Sequence, residues 1–200
     1  MQFFNTLTRR KDDFSPIHPP KVGLYTCGPT VYDHVHIGNL RAFVFNDLLR
    51  RYLEYRGYAV THVMNITDVE DRIIKKVRES GKSLAAVTGL YTDAFFQDLA
   101  TLNIKRAHIT PRATENIPGM IALIEKLIAG NHAYLAEDKS VYYSIKSFPE
   151  YGKLSHRRLD QETVSRVKSD DFDKQEMVDF ALWKAWDEDD GDMKWDSPWG

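Results

Sequence analysis

Residues 21–41 read KVGLYTCGPTVYDHVHIGNLR, and this stretch decides the fold. Val22, Leu24 and Thr26 alternate with Gly23, Tyr25 and Cys27, the two-residue period of a strand, and Gly28-Pro29 stops that strand at Cys27. Gly38 and Asn39 stand where a helix begins, because Leu40, Phe43, Val44, Leu48, Tyr52 and Tyr55 recur at helical spacing as far as Gly57, a left-handed cap. That apolar stripe is expected to face a sheet. The turn between strand and helix carries a thiol, imidazoles and a carboxylate, in Cys27, Asp33, His34 and His36. It lies where open α/β sheets bind ligands, at the carboxyl end of a strand and beside a helix N-terminus that favours phosphate.

Outward from this unit, Tyr58–Ile66 predicts a second strand, parallel to the first because a helix connects them. Thr67 with Glu70 has capping-box spacing for a helix bearing Ile73, Ile74 and Val77 and closed by Gly81; Ser83 starts a longer one through Leu102. Residues 103–110 predict a short buried strand before Pro111 and Arg112 turn the chain. From Asn116 the character changes to a helix over Ile117–Ala129, then strands at Ala133–Leu135 and Val141–Ile145 around Glu137-Asp138-Lys139. Upstream, residues 1–20 read as a short strand or arm with a solvated basic triplet, Arg9-Arg10-Lys11. Residues 156–176 lack apolar periodicity and read as a mobile loop, after which Trp183, Trp186, Trp195 and Trp199 read as packing residues.

The 200 residues are 42% hydrophobic, enough for a sizeable core, and the net charge of −2 gives no overall attraction for nucleic acid, so any RNA contact must be local. One cysteine excludes a disulfide framework, and the setting is expected to be cytosolic. No apolar run of membrane-spanning length is present, so no membrane partner is expected.

Single residues have plain structural readings as well. A lone cysteine at a strand end is commonly a buried core thiol. A histidine commonly satisfies a backbone group, although before Ile37-Gly38-Asn39 at a helix start a phosphate role is favoured for His36. A local zinc site of Cys27, His34 and His36 is conceivable and ranks low, being one ligand short of the usual tetrahedron. Arg41, Arg50, Arg51, Lys75, Lys76 and Arg78 read as exposed helix charges by default, and Glu70, Asp71 and Arg72 as a solvated face with an ion pair.

The segment Thr26-Cys27-Gly28-Pro29-Thr30-Val31-Tyr32-Asp33, followed by His36-Ile37-Gly38-Asn39, resembles the opening signature of cysteinyl-tRNA synthetases, a branch of the class I aminoacyl-tRNA synthetases. The resemblance extends to Phe4-Asn5-Thr6-Leu7-Thr8, Asn65-Ile66-Thr67-Asp68, Pro111-Arg112-Ala113-Thr114, Tyr151-Gly152-Lys153-Leu154-Ser155 and Ser197-Pro198-Trp199-Gly200, so it covers essentially the whole chain. Asn39 departs from the class pattern His-Ile-Gly-His and is similar to many cysteine-specific members.

The resemblance implies an α/β fold: the first half of a class I Rossmann-type nucleotide-binding domain with parallel strands over residues 1–115, and an inserted α+β connective module over 116–200. The second half, its lysine-rich Lys-Met-Ser-Lys-Ser loop and the anticodon-binding domain are expected to be missing from this stretch. It further implies ATP-dependent activation of L-cysteine and transfer to tRNA(Cys) by a cytoplasmic monomer, with this portion inactive alone. His36 and Asn39 are implied as catalytic, and Pro29, Thr30, His36, Ile37, Gly38 and Asn39 as the ATP-binding signature. Cys27, Gly28 and Thr67 would bind cysteine, and Cys27 would ligate Zn2+ with partners beyond Gly200; ATP would act with Mg2+. Two rival readings share parts of this chemistry: a ligase coupling cysteine to an amino sugar, and a non-catalytic binding protein derived from the fold.

Overall fold

The computed structural model describes residues 1–156 and 179–200. Its strands are β1 (Gln2–Asn5), β2 (Arg10–Asp13), β3 (Lys21–Thr26), β4 (Ala59–Met64), β5 (Ala133–Leu135), β6 (Val141–Tyr143) and β7 (Phe180–Trp183). Its helices are α1 (Ile37–Tyr55), α2 (Asp71–Ser80), α3 (Leu84–Thr101) and α4 (Ile117–Ala129). The chain divides into two compact units, one of residues 15–117 and 188–194, the other of residues 1–14, 118–187 and 195–200. The stretch read as a mobile loop lies, from residue 157 to its end, outside the described residues.

In the unit that carries the signature, β3 and β4 pair in parallel from Lys21 opposite Ala59 to Thr26 opposite Met64, with α1 as the crossover. Both strands therefore end side by side. Val31, Phe43, Met64, Ile66, Ile73, Phe95, Leu99 and Ala107 form the core beneath them. Among the described residues no further strand pairs with the outer edge of β3.

Residues 103–110 do not form the expected strand. Instead two isolated parallel bridges, Val63 with Ile109 and Ile66 with Arg112, place residues 109–112 beside β4 and its continuation. The amide of Met64 donates to Ile109 and that of Ile66 to the Pro111 carbonyl, but Pro111 has no N–H to return, so the ladder breaks there.

The face that α1 buries also differs from expectation. Phe43, Asp47, Arg50 and Leu53 are buried, whereas Val44, Leu48 (63% exposed), Tyr52 and Tyr55 (85%) face outward. The reason is a polar seam that apolar periodicity cannot register. Asp47 accepts from the Lys105 amide and from Arg51, and Arg50 reaches Glu54, the Arg106 carbonyl and His108. With its charges satisfied the seam can be buried, and it ties α1 to residues 105–108. Arg50 is therefore a structural residue and not an exposed helix charge.

Thr67 does not cap α2; Glu70 does, its carboxylate accepting from the Arg72 amide, while Gly81 closes the helix with φ of 63°. Ser83 caps α3 as predicted.

In the other unit β1 and β2 form an antiparallel hairpin, and β5, β6 and β7 form an antiparallel sheet in that order. Ile124, Ala133 and Val141 form its core, joined by Trp183 and Trp199, whereas Trp186 is 47% exposed.

His62 supplies a pH-dependent contribution to stability. Burial first, then the nearby charge of Arg50 and the neighbouring His108, hold its pKa below the ordinary 6.5, with Asp47 acting the other way. Folding thus favours the neutral ring. The unfolded chain binds the extra proton first, so this contribution is complete above 6.5 and is lost as pH falls below it toward the folded value. The thermal midpoint of this chain is expected to drop between pH 7.5 and 5.5, and His62→Gln to flatten that slope in differential scanning calorimetry.

Candidate active site

The site is built where β3 and β4 end together. Beyond them the two chains stay zipped: the Thr67 amide donates to the Pro29 carbonyl at 3.0 Å and the Val31 amide to the Thr67 carbonyl at 3.1 Å. Val31 is buried in the core beneath, anchoring the turn. Gly28 passes so close to the second strand that a Cβ on it would lie 1.6 Å from the Asn65 carbonyl oxygen, so no side chain fits there.

Cys27 is exposed, which excludes the core-thiol reading and leaves its sulfur accessible at the strand end. The Thr26 hydroxyl just before it is buried against His62 Nε2 at 2.9 Å. His34 is committed elsewhere: its ring sits edge-on against Tyr91, 5.3 Å between centroids, and its amide donates to Asp33. Among the described residues no cluster of three or more His, Cys, Asp or Glu side chains could hold a metal ion. The local zinc site of Cys27, His34 and His36 is therefore not formed.

His36 is the N-cap of α1. Its Nδ1 accepts from the Gly38 amide at 3.0 Å, and Asn39 Oδ1 accepts from the His36 amide at 3.2 Å, a reciprocal capping box. An accepting Nδ1 puts the proton of the neutral ring on Nε2, so His36 offers its outer edge as a donor. Ile37, Gly38 and Asn39 are exposed around it, at the positive end of a 19-residue helix.

Of the residues implied for the site, Pro29, Thr30, Gly28 and Thr67 meet in the zipped turn, Cys27 stands at the strand end, and His36 to Asn39 form the helix start. The carboxylate of Asp68, the residue after Thr67, is engaged by other partners. Only 3% exposed, Asp68 accepts from the Thr114 amide and hydroxyl and lies 3.7 Å from Arg112, so it anchors the turn at 111–114. Arg72 pairs with Glu70 on the solvated face as expected, and also lies over the Tyr32 ring at 4.8 Å. Sequence reasoning missed His62 and Asn65. The signal for His62 was strand alternation, since it shares the buried phase of Met64 and Ile66. No sequence signal shows what the Asn65 side chain holds.

Residues 13–200 match the family model described as the tRNA synthetases class I (C) catalytic domain. The chain is 50% identical over 203 residues to a cysteine–tRNA ligase of Brachyspira hyodysenteriae, covering 99% of this chain and 42% of that protein. It is 52% identical over 202 residues to a cysteine–tRNA ligase of Chlamydia pneumoniae, covering 100% of this chain and 42% of the relative. The chain thus spans less than half the length of these curated relatives. Among solved structures, the ternary complex of Agrobacterium radiobacter K84 agnB2 LeuRS, tRNA and LeuAMS matches 66% of this chain and 17% of its own with a TM-score of 0.53. At 23% identity that match speaks to the fold alone. With the parallel strand pair, the capped helix and the family match in agreement, the chain belongs to the class I (C) tRNA synthetase catalytic domains.

Proposed function

We propose that this chain is the N-terminal portion of a cysteine–tRNA ligase, which activates L-cysteine with ATP and transfers it to tRNA(Cys). The observation that carries the reading is the exposed thiol of Cys27 beside the capped N-terminus of α1, in a chain about half identical to cysteine–tRNA ligases. The names of those relatives favour tRNA over an amino sugar as acceptor, and give no support to a non-catalytic role. In this reading residues 1–115 would supply the first half of the nucleotide-binding domain and residues 116–200 the connective insertion; the compact unit of residues 15–117 and 188–194 supports the first part, while residues 1–14 cluster with 118–187. The outer edge of β3 and the outward stripe Val44, Leu48, Tyr52 and Tyr55 are where further chain of the longer protein would pack.

In the reaction the cysteine carboxylate attacks the α-phosphorus of ATP, forming the acyl-adenylate and releasing pyrophosphate. A terminal ribose hydroxyl of tRNA then takes the acyl group and releases AMP. No enzyme nucleophile is required. ATP, as its magnesium complex, would lie across Pro29, Thr30 and the start of α1, with the helix amides and His36 Nε2–H directed at charge that develops on the α-phosphate. Asn39 holds His36 in place through the capping box. Cysteine would lie between the Cys27-Gly28 turn and Thr67. Cys27 would supply one thiolate to a zinc ion completed by residues beyond Gly200, and such a soft, thiolate-rich site prefers the sulfur of cysteine to the oxygen of serine. That preference would give selectivity without editing.

Cysteine-dependent exchange of pyrophosphate into ATP by the full-length protein tests the reading. In that protein Cys27→Ser is expected to lower zinc content and to reduce discrimination against serine roughly tenfold. Unchanged zinc per chain together with unchanged discrimination would remove Cys27 from the site.

A further inference from the structure

The ends of β3 and β4 are joined by one side-chain amide. Asn65, immediately after β4, accepts on Oδ1 from the Tyr25 hydroxyl at 2.9 Å and from the Gly28 amide at 3.1 Å, and donates through Nδ2 to the Thr67 hydroxyl at 3.1 Å. We infer that Asn65 is a positioning residue for the amino-acid side of the site, fixing the Cys27-Gly28 turn and Thr67 at one separation. The inference rests on the reading of these residues as the cysteine-binding side.

The chemistry of the amide fits the position. Its carbonyl oxygen has two lone pairs for two donors, and its nitrogen supplies the proton that the Thr67 oxygen accepts. Both strand ends are otherwise held by backbone bonds one step further on, between Pro29 or Val31 and Thr67, so the Gly28 amide depends on Asn65. Asn65 is half-buried, and its backbone carbonyl already closes the space beside Gly28. An apolar side chain of similar size would leave the Gly28 amide and the Thr67 hydroxyl unpaired and free the turn to shift, displacing Cys27 from Thr67. Neither the helix-capping bonds of His36 and Asn39 nor the backbone bonds that hold Pro29 and Val31 to Thr67 involve the Asn65 side chain. Errors should therefore fall on cysteine and not on ATP.

The test is pyrophosphate exchange by the full-length protein, with KM measured separately for cysteine and for ATP. Asn65→Leu is expected to raise the cysteine KM at least about tenfold with the ATP KM within about twofold, since displacement of order 1 Å costs on the order of a hundredfold in an oriented site. Asn65→Asp retains two acceptor bonds and can accept from the Thr67 hydroxyl, so it should stay within about threefold of wild type. Tyr25→Phe removes one exposed bond and should raise the cysteine KM about threefold, which keeps the test open if the leucine variant fails to fold. An unchanged cysteine KM in both Asn65→Leu and Tyr25→Phe, or equal rises for both substrates, would overturn the assignment. Wild-type protein without cysteine-dependent exchange would instead overturn the reading on which it rests.

Discussion

His36→Ala in the full-length protein is expected to slow cysteine-dependent pyrophosphate exchange about a hundredfold, with cysteine binding little changed. A preorganised donor aimed at developing charge contributes roughly 3 kcal/mol, which corresponds to that factor. The geometry gives His36 two tasks that must be separated. Its Nδ1 caps α1 through the Gly38 amide, and its Nε2–H is the donor proposed to face the α-phosphate. Loss of the cap alone costs about 1 kcal/mol of stability and loosens the first turn. His36→Ser separates the two, because a serine hydroxyl can accept from the same helix amides and restore the cap but cannot reach the phosphate. Serine should recover the thermal midpoint lost in the alanine variant and leave exchange as slow. Recovery of rate along with stability would assign His36 to capping alone.

Local signals in the sequence located most helix boundaries. Ser83 starts α3, and Ile117–Ala129 is helical to the residue, because caps and 3.6-residue periodicity are written within a few positions. What required distant partners was not legible. The buried face of α1 depends on Asp47 and Arg50 meeting Lys105, Arg106 and His108, more than fifty residues away, so an apolar stripe pointed to the wrong side. The Thr67 and Glu70 spacing suits a capping box, but Thr67 is bridged to Pro29 and Val31 in the turn beyond β3, so Glu70 caps instead. Pro111 could have been read as a strand breaker, since its missing N–H is a local fact. At the site, the placement of a thiol at a strand end and of His36 at a helix start was legible. The roles of Asn65 and His62 were not, because each exists only once β3 and β4 pair.

The 200-residue chain by itself is expected to form no cysteinyl-tRNA above background. Three features of the chain converge on this. A closed zinc site needs about four ligands, and among the described residues, which offer no cluster able to hold a metal, only Cys27 is proposed as one. Its parallel pair leaves β3 with no strand on its outer edge among the described residues, where the proposed crevice would need a further wall to exclude water. Water at that wall would weaken every electrostatic contact to the α-phosphate and leave the substrates unenclosed. Its α1 exposes Val44, Leu48, Tyr52 and Tyr55 along one side, a surface that suits covering by further chain. The curated relatives are more than twice as long, since this chain spans 42% of them. Weak binding of ATP at the capped helix could survive, because the cap and the amides of α1 are formed locally. Purified chain supplied with zinc, ATP, cysteine and cognate tRNA should therefore give no charged product in an acid-gel assay, while the full-length protein gives it readily. Comparable turnover by the two would show that the site is complete within these residues, and would overturn both the proposed sharing of zinc ligands and the proposed role of the further chain in closing the crevice.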